Sequence, residues 1–98
     1  MDQSSPAPDD AVEIPITDEL DLHTFRPAEV QSLLHDYLGA CRERGILRVR
    51  IVHGKGTGAL RATVHATLSR IPWVEGYALA PADRGHWGAT VVELAPLP

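Results

Sequence analysis

The stretch LRVRIVHGKGTG, residues 47–58, constrains the fold more than any other part of the chain. Leu47, Val49 and Ile51 alternate strictly with Arg48 and Arg50, the period of a strand that is buried on one face only. Gly54, Gly56 and Gly58 then fill every second position, which neither strand nor helix sustains, so the strand must end in a loop. The segments on either side are helical. Arg26-Pro27 opens the first, with proline at its usual first position. Val30, Leu33, Leu34, Tyr37, Leu38 and Cys41 make one apolar stripe, and Gly45 stands where a C-terminal cap is expected. Leu60, Val64, Leu68 and Ile71 line the second helix, and Pro72 closes it. A sheet covered on both faces would have continuously apolar strands, so both helices belong on one face and the other stays open.

Three more strands are expected, at 18–22, 74–80 and 88–94, the last two around the loop PADRGHW. The order β-α-β-α-β-β gives an α/β fold, a two-layer sandwich with a four-stranded mixed sheet. Crossover helices draw the first three strands toward parallel pairing, and a last antiparallel strand would begin at the rim where the first two end. Asp21-Leu22-His23, the glycine loop from His53 onward and His86-Trp87-Gly88-Ala89-Thr90 then converge on one edge, where open α/β sheets bind ligands. Arg48 and Arg50 should share the open face with Asp21 and His23.

Charge is unevenly distributed. The formal net charge is −4, but residues 1–19 carry six acids and no base, leaving nine bases against seven acids in the rest. Residues 1–17 read as a flexible acidic tail and 18–96 as the folded domain. A near-neutral to basic domain is compatible with nucleic acid as a partner. Cys41 is the one cysteine, which leaves no internal disulfide framework or multi-thiolate zinc site and fits a reducing compartment. No apolar run is long enough for a membrane span, and the N-terminus has no hydrophobic signal core, so a cytoplasmic protein with no membrane partner is expected.

The glycine loop lies between a strand and a helix, where backbone N–H groups and a helix N-terminus cradle anions. The P-loop pattern is absent, so ATP is not an expected partner, and the G-x-G-x-G spacing is not a dinucleotide fingerprint. Three glycines with Lys55, Thr57 and Arg61 exceed the needs of a tight turn and point to phosphate contact. Asp21 and His23, two apart on a strand, share a face. The carboxylate would orient the imidazole as a general base, or the two would ligate a divalent metal. His53 is a candidate for phosphate contact, for a second acid, or for a strand-end histidine satisfied by loop backbone. Trp87 is either a base-stacking or a rim-packing residue. Arg48 and Arg50 are candidates for tracking a phosphate backbone. His35 and His65 fall outside the apolar stripes and read as surface residues; Cys41 reads as core, and Trp73 as structural.

With these residues assembled, the chain resembles the Smr (small MutS-related) domain family. LDLH (20–23), HGKGTGALR (53–61) and GATVVEL (88–94) occur in the family's order and spacing. The resemblance implies a fold similar to the C-terminal domain of translation initiation factor 3. It also implies endonuclease activity, nicking DNA or cleaving RNA, with ribosomes as partners of some members. Asp21 and His23 match the catalytic D-x-H motif, and His53, Gly54, Gly56 and Gly58 the H-G-x-G-x-G substrate loop. Standalone members exist, so no MutS-type ATPase is implied. Many members approach the last strand through glycines, whereas this chain has Gly85-His86-Trp87-Gly88. RNA cleavage through the 2′-OH would need no cofactor, while DNA cleavage would draw on Mg²⁺ or Mn²⁺ held by Asp21 and His23. The alternative from another class is a non-catalytic nucleic-acid or ribosome-binding module; a small-molecule phosphate binder is a third.

Overall fold

A computed structural model describes residues 14–54, 58–80 and 88–98. Residues 1–13, the loop centre Lys55-Gly56-Thr57 and segment 81–87, with His86 and Trp87, lie outside the described residues. The elements follow the expected order: β1 (Glu19–Asp21), α1 (Pro27–Glu43), β2 (Arg48–Val52), α2 (Ala59–Leu68), β3 (Val74–Leu79) and β4 (Ala89–Leu94). Helix α1 starts where Pro27 gives up an N–H that no helical carbonyl would receive, and Glu29 reaches back to accept the Arg26 N–H at 2.9 Å. It ends at Gly45, whose φ of +76° suits glycine.

The sheet order is β1-β2-β4-β3. β1 pairs parallel with β2, and β4 runs antiparallel to both β2 and β3. The first and second strands are thus parallel neighbours as expected, but the third does not pair with them directly. β4 is inserted between β2 and β3, where it completes both their ladders. Its residues explain this central place, since Ala89, Thr90, Val92 and Leu94 are all buried.

The inner row of the sheet, Leu20, Leu22, Val49, Ile51, Val92 and Leu94, forms one core with Val30, Leu34, Tyr37, Leu38 and Cys41 of α1 and Val64 and Leu68 of α2. Both helices therefore cover the same face. Ile71 also belongs to this core, although α2 ends at Leu68 and a turn carries the chain on to it. Each such buried aliphatic side chain contributes about 1.5–3 kcal/mol. Cys41 is buried as expected, and burial raises its thiol to about 11. On the open face Arg50 pairs with Glu19 at 3.1 Å and Arg48 with Glu93 at 3.3 Å.

The described residues ahead of β1 also pack against the domain. Ile14 and Ile16 pack on the core. The buried Tyr37 hydroxyl accepts the Thr17 N–H at 3.0 Å and lies within bonding distance of the Pro15, Thr17 and Glu19 carbonyls. At the other end Arg42 donates from Nε to the Ala95 carbonyl at 2.8 Å and stacks over Trp73, which gives that tryptophan a structural place. In β3 the register slips by one residue at Glu75. This bulge turns Tyr77 and Leu79 onto the inner face, opposite Val92 and Thr90.

Candidate functional site

Three segments meet at one rim of the sheet. The β1–β2 ladder continues past Asp21 as Leu22 donates its N–H to the Val52 carbonyl at 2.7 Å. On the other side of β2, the N–H groups of His53 and Gly54 both reach the Gly88 carbonyl, at 2.8 and 2.9 Å. The end of β1, the glycine loop and the approach to β4 are therefore stitched together, as the topology predicted.

On the open face of this rim stand Asp21 and His23. Asp21 Oδ1 accepts the His23 backbone N–H at 3.0 Å and lies 2.7 Å from His23 Nδ1. The His23 N–H, and then its ring, hold the Asp21 carboxyl below its ordinary range. An ionised carboxylate only accepts, so Nδ1 carries the proton, and in the neutral ring Nε2 presents a bare lone pair. Among the described residues no group bonds to that Nε2. The His23 side chain is 65% exposed and that of Asp21 50%, so both stand open to solvent.

His53 belongs to the other face. Next in line after the inward Ile51 and the outward Val52, it turns toward the helices and is only 4% exposed. Its Nδ1 donates to the Gly54 carbonyl at 3.0 Å, and its Nε2 lies 2.8 Å from Thr90 Oγ1. The same hydroxyl lies 2.8 Å from His65 Nε2, from α2. The His53 and His65 rings meet edge to face at 6.2 Å, and Tyr77 of β3 closes on His65 at 5.0 Å. Burial lowers the affinity of His53 for a proton, the Gly54 bond opposes this, and Arg61 adds to it. His65 is lowered by burial, then by the nearby His53 and Arg61.

The loop between these faces is bracketed by Gly54 (φ +80°) and Gly58 (φ +91°), a conformation that side chains disfavour. Arg61 folds back so that its Nη2 lies 3.0 Å from where a Cβ on residue 58 would sit, placing the guanidinium against the loop's exit. Lys55, Gly56, Thr57 and Trp87 fall outside the described residues. Arg48 and Arg50 lie on the open face with Asp21, as expected, each in an ion pair with a glutamate.

His65 departs from the surface role expected of it: it is partly buried against Thr90 and Tyr77. His35 is exposed, with its ring edge on Trp73. Thr90 had no assigned role, and its one signal was a hydroxyl in an otherwise apolar inward row. Nothing in the sequence revealed His65, because its contact depends on how α2 docks. Among the described residues no three metal-ligating side chains come together, so Asp21 and His23 offer two donors. No helix among the described residues is long and apolar enough to cross a membrane.

Comparison with known proteins extends these observations. The family model of the Smr domain matches residues 20–95. Endonuclease MutS2 of Maridesulfovibrio salexigens is 46% identical over 79 residues, 81% of this chain and 10% of that protein. Endonuclease MutS2 of Thermus thermophilus is 41% identical over 78 residues, again 10% of its length. The chain thus spans about a tenth of these relatives. The crystal structure of the Smr domain of Thermus thermophilus MutS2 superposes with a TM-score of 0.78 at 40% identity, covering 82% of this chain and all of that one. YdaL, a stand-alone small MutS-related protein from Escherichia coli, shares the fold with a TM-score of 0.75, 24% identity, and coverage of 88% and 70%.

Proposed function

The chain belongs to the Smr domain family, and from that membership we propose that it is an endonuclease acting on single-stranded or structured nucleic acid. The observation that carries the reading is the exposed Asp21–His23 pair, whose bare Nε2 stands at the same rim as the glycine loop. That its relatives bear the name endonuclease supports the same reading.

On RNA, His23 Nε2 takes the proton of the 2′-OH as that oxygen attacks the adjacent phosphorus. The bond to the 5′-oxygen breaks, a 2′,3′-cyclic phosphate forms, and the leaving oxygen takes up a proton from solvent. Asp21 holds the His23 ring in the required tautomer and offsets the positive charge it gains. The loop from Gly54 to Gly58 holds the scissile phosphate through backbone N–H groups other than that of Gly54, which is spent on the Gly88 carbonyl, with the α2 N-terminus adding its dipole. Lys55 and Arg61 offset the charge that grows on the phosphate oxygens, and Thr57 offers its hydroxyl to the same phosphate. On DNA, which has no 2′-OH, the nucleophile is water, and Asp21 and His23 would hold a divalent cation that activates it.

His53, whose two ring nitrogens are both engaged, serves in this reading to hold the loop rather than to deliver a proton. Arg48, Arg50 and Trp87 extend the contact with the nucleic acid beyond the scissile phosphate. Ribosome-bound RNA is one substrate consistent with this scheme, and the chemistry belongs to a cytoplasmic setting.

The test uses a labelled single-stranded RNA and a supercoiled plasmid, each with Mg²⁺ or EDTA, and a parallel His23→Ala preparation. RNA cut in EDTA to a cyclic phosphate end, and spared by the variant, is the result expected of the general-base route. A plasmid nicked only with metal moves Asp21 and His23 to the ligand role. Tight, salt-dependent binding of both with no cutting of either defeats the enzyme reading in favour of a docking module.

A further inference from the structure

Thr90 is fully buried in β4 and faces two histidines with one hydroxyl, and the hydrogens there have one consistent arrangement for neutral rings. The Gly54 carbonyl only accepts, so His53 Nδ1 must carry a proton. In the neutral ring His53 Nε2 is then bare and accepts, so the Thr90 O–H points at His53. The Thr90 oxygen is left to accept, so His65 Nε2 must carry the donating proton. The direction runs from α2 through β4 into the loop: His65 Nε2–H to Thr90, Thr90 O–H to His53, His53 Nδ1–H to Gly54. The low proton affinities of both rings agree with the neutral state this chain requires.

Both ends of the chain matter. Gly54 opens the glycine loop in the left-handed region, and its carbonyl is held by the His53 ring. His65 lies one helical turn beyond Arg61, on the helix that follows its N-cap Gly58 at the loop's exit. Thr90 follows directly on Ala89, which pairs with Val52 at the rim. One hydroxyl therefore ties the loop's first residue, the helix at its exit and the strand beside it.

We infer that Thr90 and His65 are positioning residues of the glycine-loop site, setting the peptide plane at Gly54 through the tautomer of His53. The inference rests on reading that loop as the phosphate cradle, and it adds two residues that make no contact with substrate. A serine at 90 keeps the relay. A valine of the same shape leaves His53 Nε2 and His65 Nε2–H without their partner.

The experiment is nitrogen-15 NMR of the histidine rings and glycine amides in the full chain, on wild type, Thr90→Val, Thr90→Ser and His65→Phe. The expected spectra show His53 protonated at Nδ1 and His65 at Nε2. Thr90→Val and His65→Phe displace the Gly54 and Gly58 amide signals, and Thr90→Ser restores them. The opposite tautomer on either ring in wild type overturns the inference even if no variant folds. So do Gly54 and Gly58 signals that stay in place in Thr90→Val. Affinity for a labelled single-stranded oligonucleotide, measured on the same samples, judges the cradle separately. A cradle weakened by the worth of about one hydrogen bond binds about tenfold more weakly in Thr90→Val, with near-wild-type binding in Thr90→Ser. A wild-type chain with no affinity for the oligonucleotide sinks the cradle, while the spectra still decide the relay.

Discussion

Asp21–His23 and His53–Thr90–His65 occupy the same rim of the sheet on opposite faces, and the pleat alone separates them. The open-face pair follows the outward register of β1, with one histidine nitrogen spent on a carboxylate and the other without a partner among the described residues. In the inner cluster the His53 nitrogens meet a carbonyl and a hydroxyl, and the side chain is sealed beneath α2. Chemistry on a polymer needs an accessible group with a spare lone pair. Loop geometry needs a group with none to spare. Residue type does not distinguish these roles; exposure and the count of satisfied nitrogens do.

The largest expected effect separates the two at once. His23→Ala should lower cleavage by a factor of about 10²–10⁴, the usual span for a lost general base, with an unchanged melting temperature. A comparable loss of stability would show that the exposed pair is structural after all. Next, Thr90→Val should destabilise the fold by about 1–3 kcal/mol in urea titrations, because one buried and one partly buried ring nitrogen lose their partner. Thr90→Ser should recover most of that. A neutral Thr90→Val would mean that the inner cluster is not a rigid unit.

The pH dependence of stability should follow the same division. Both inner histidines bind protons less readily folded than unfolded, so the unfolded chain gains protons first as the solution is acidified. Their contribution is complete above the unfolded value near about 6.5 and declines as pH falls through the lowered native values. Arg61 also faces them, and its positive charge adds to the lowering of both. Asp21 acts only below about pH 4, where its protonation removes the bonds from His23. Denaturant melts between pH 7.5 and 5 in wild type and His65→Phe should show a shallower decline in the variant. Smallest of all, Arg48→Ala should change stability by no more than about 1 kcal/mol, since its pair with Glu93 is exposed.

Much of this arrangement was legible in the sequence. The alternation of 47–52 showed that one face stays open, and the stripe from Val30 to Cys41 placed a helix on the other. The topology brought Asp21, His53 and the start of the last strand to one rim. The insertion of β4 between β2 and β3 was not legible, because crossover logic fixes direction and leaves neighbour order to packing. The bulge at Glu75 was equally silent, and it is what turns Tyr77 toward His65. Period-two counting carried past Ile51 would have placed His53 inward. The motif H-G-x-G-x-G drew attention to its chemistry instead of its face. The packing of Ile14 and Ile16 on the core, beside a backbone held by a tyrosine of α1, leaves no mark on composition.

The division of labour between the two faces is tested most directly by single-turnover cleavage of a labelled RNA at saturating protein, with affinity measured on the same samples. His23→Ala should bind within about twofold of wild type and cut at least about a hundredfold more slowly. Thr90→Val should bind about tenfold more weakly yet cut at close to the wild-type rate once saturated. A His23→Ala chain that cuts at the wild-type rate, or a Thr90→Val chain that binds normally and fails to cut, would contradict this assignment of chemistry to one face and positioning to the other.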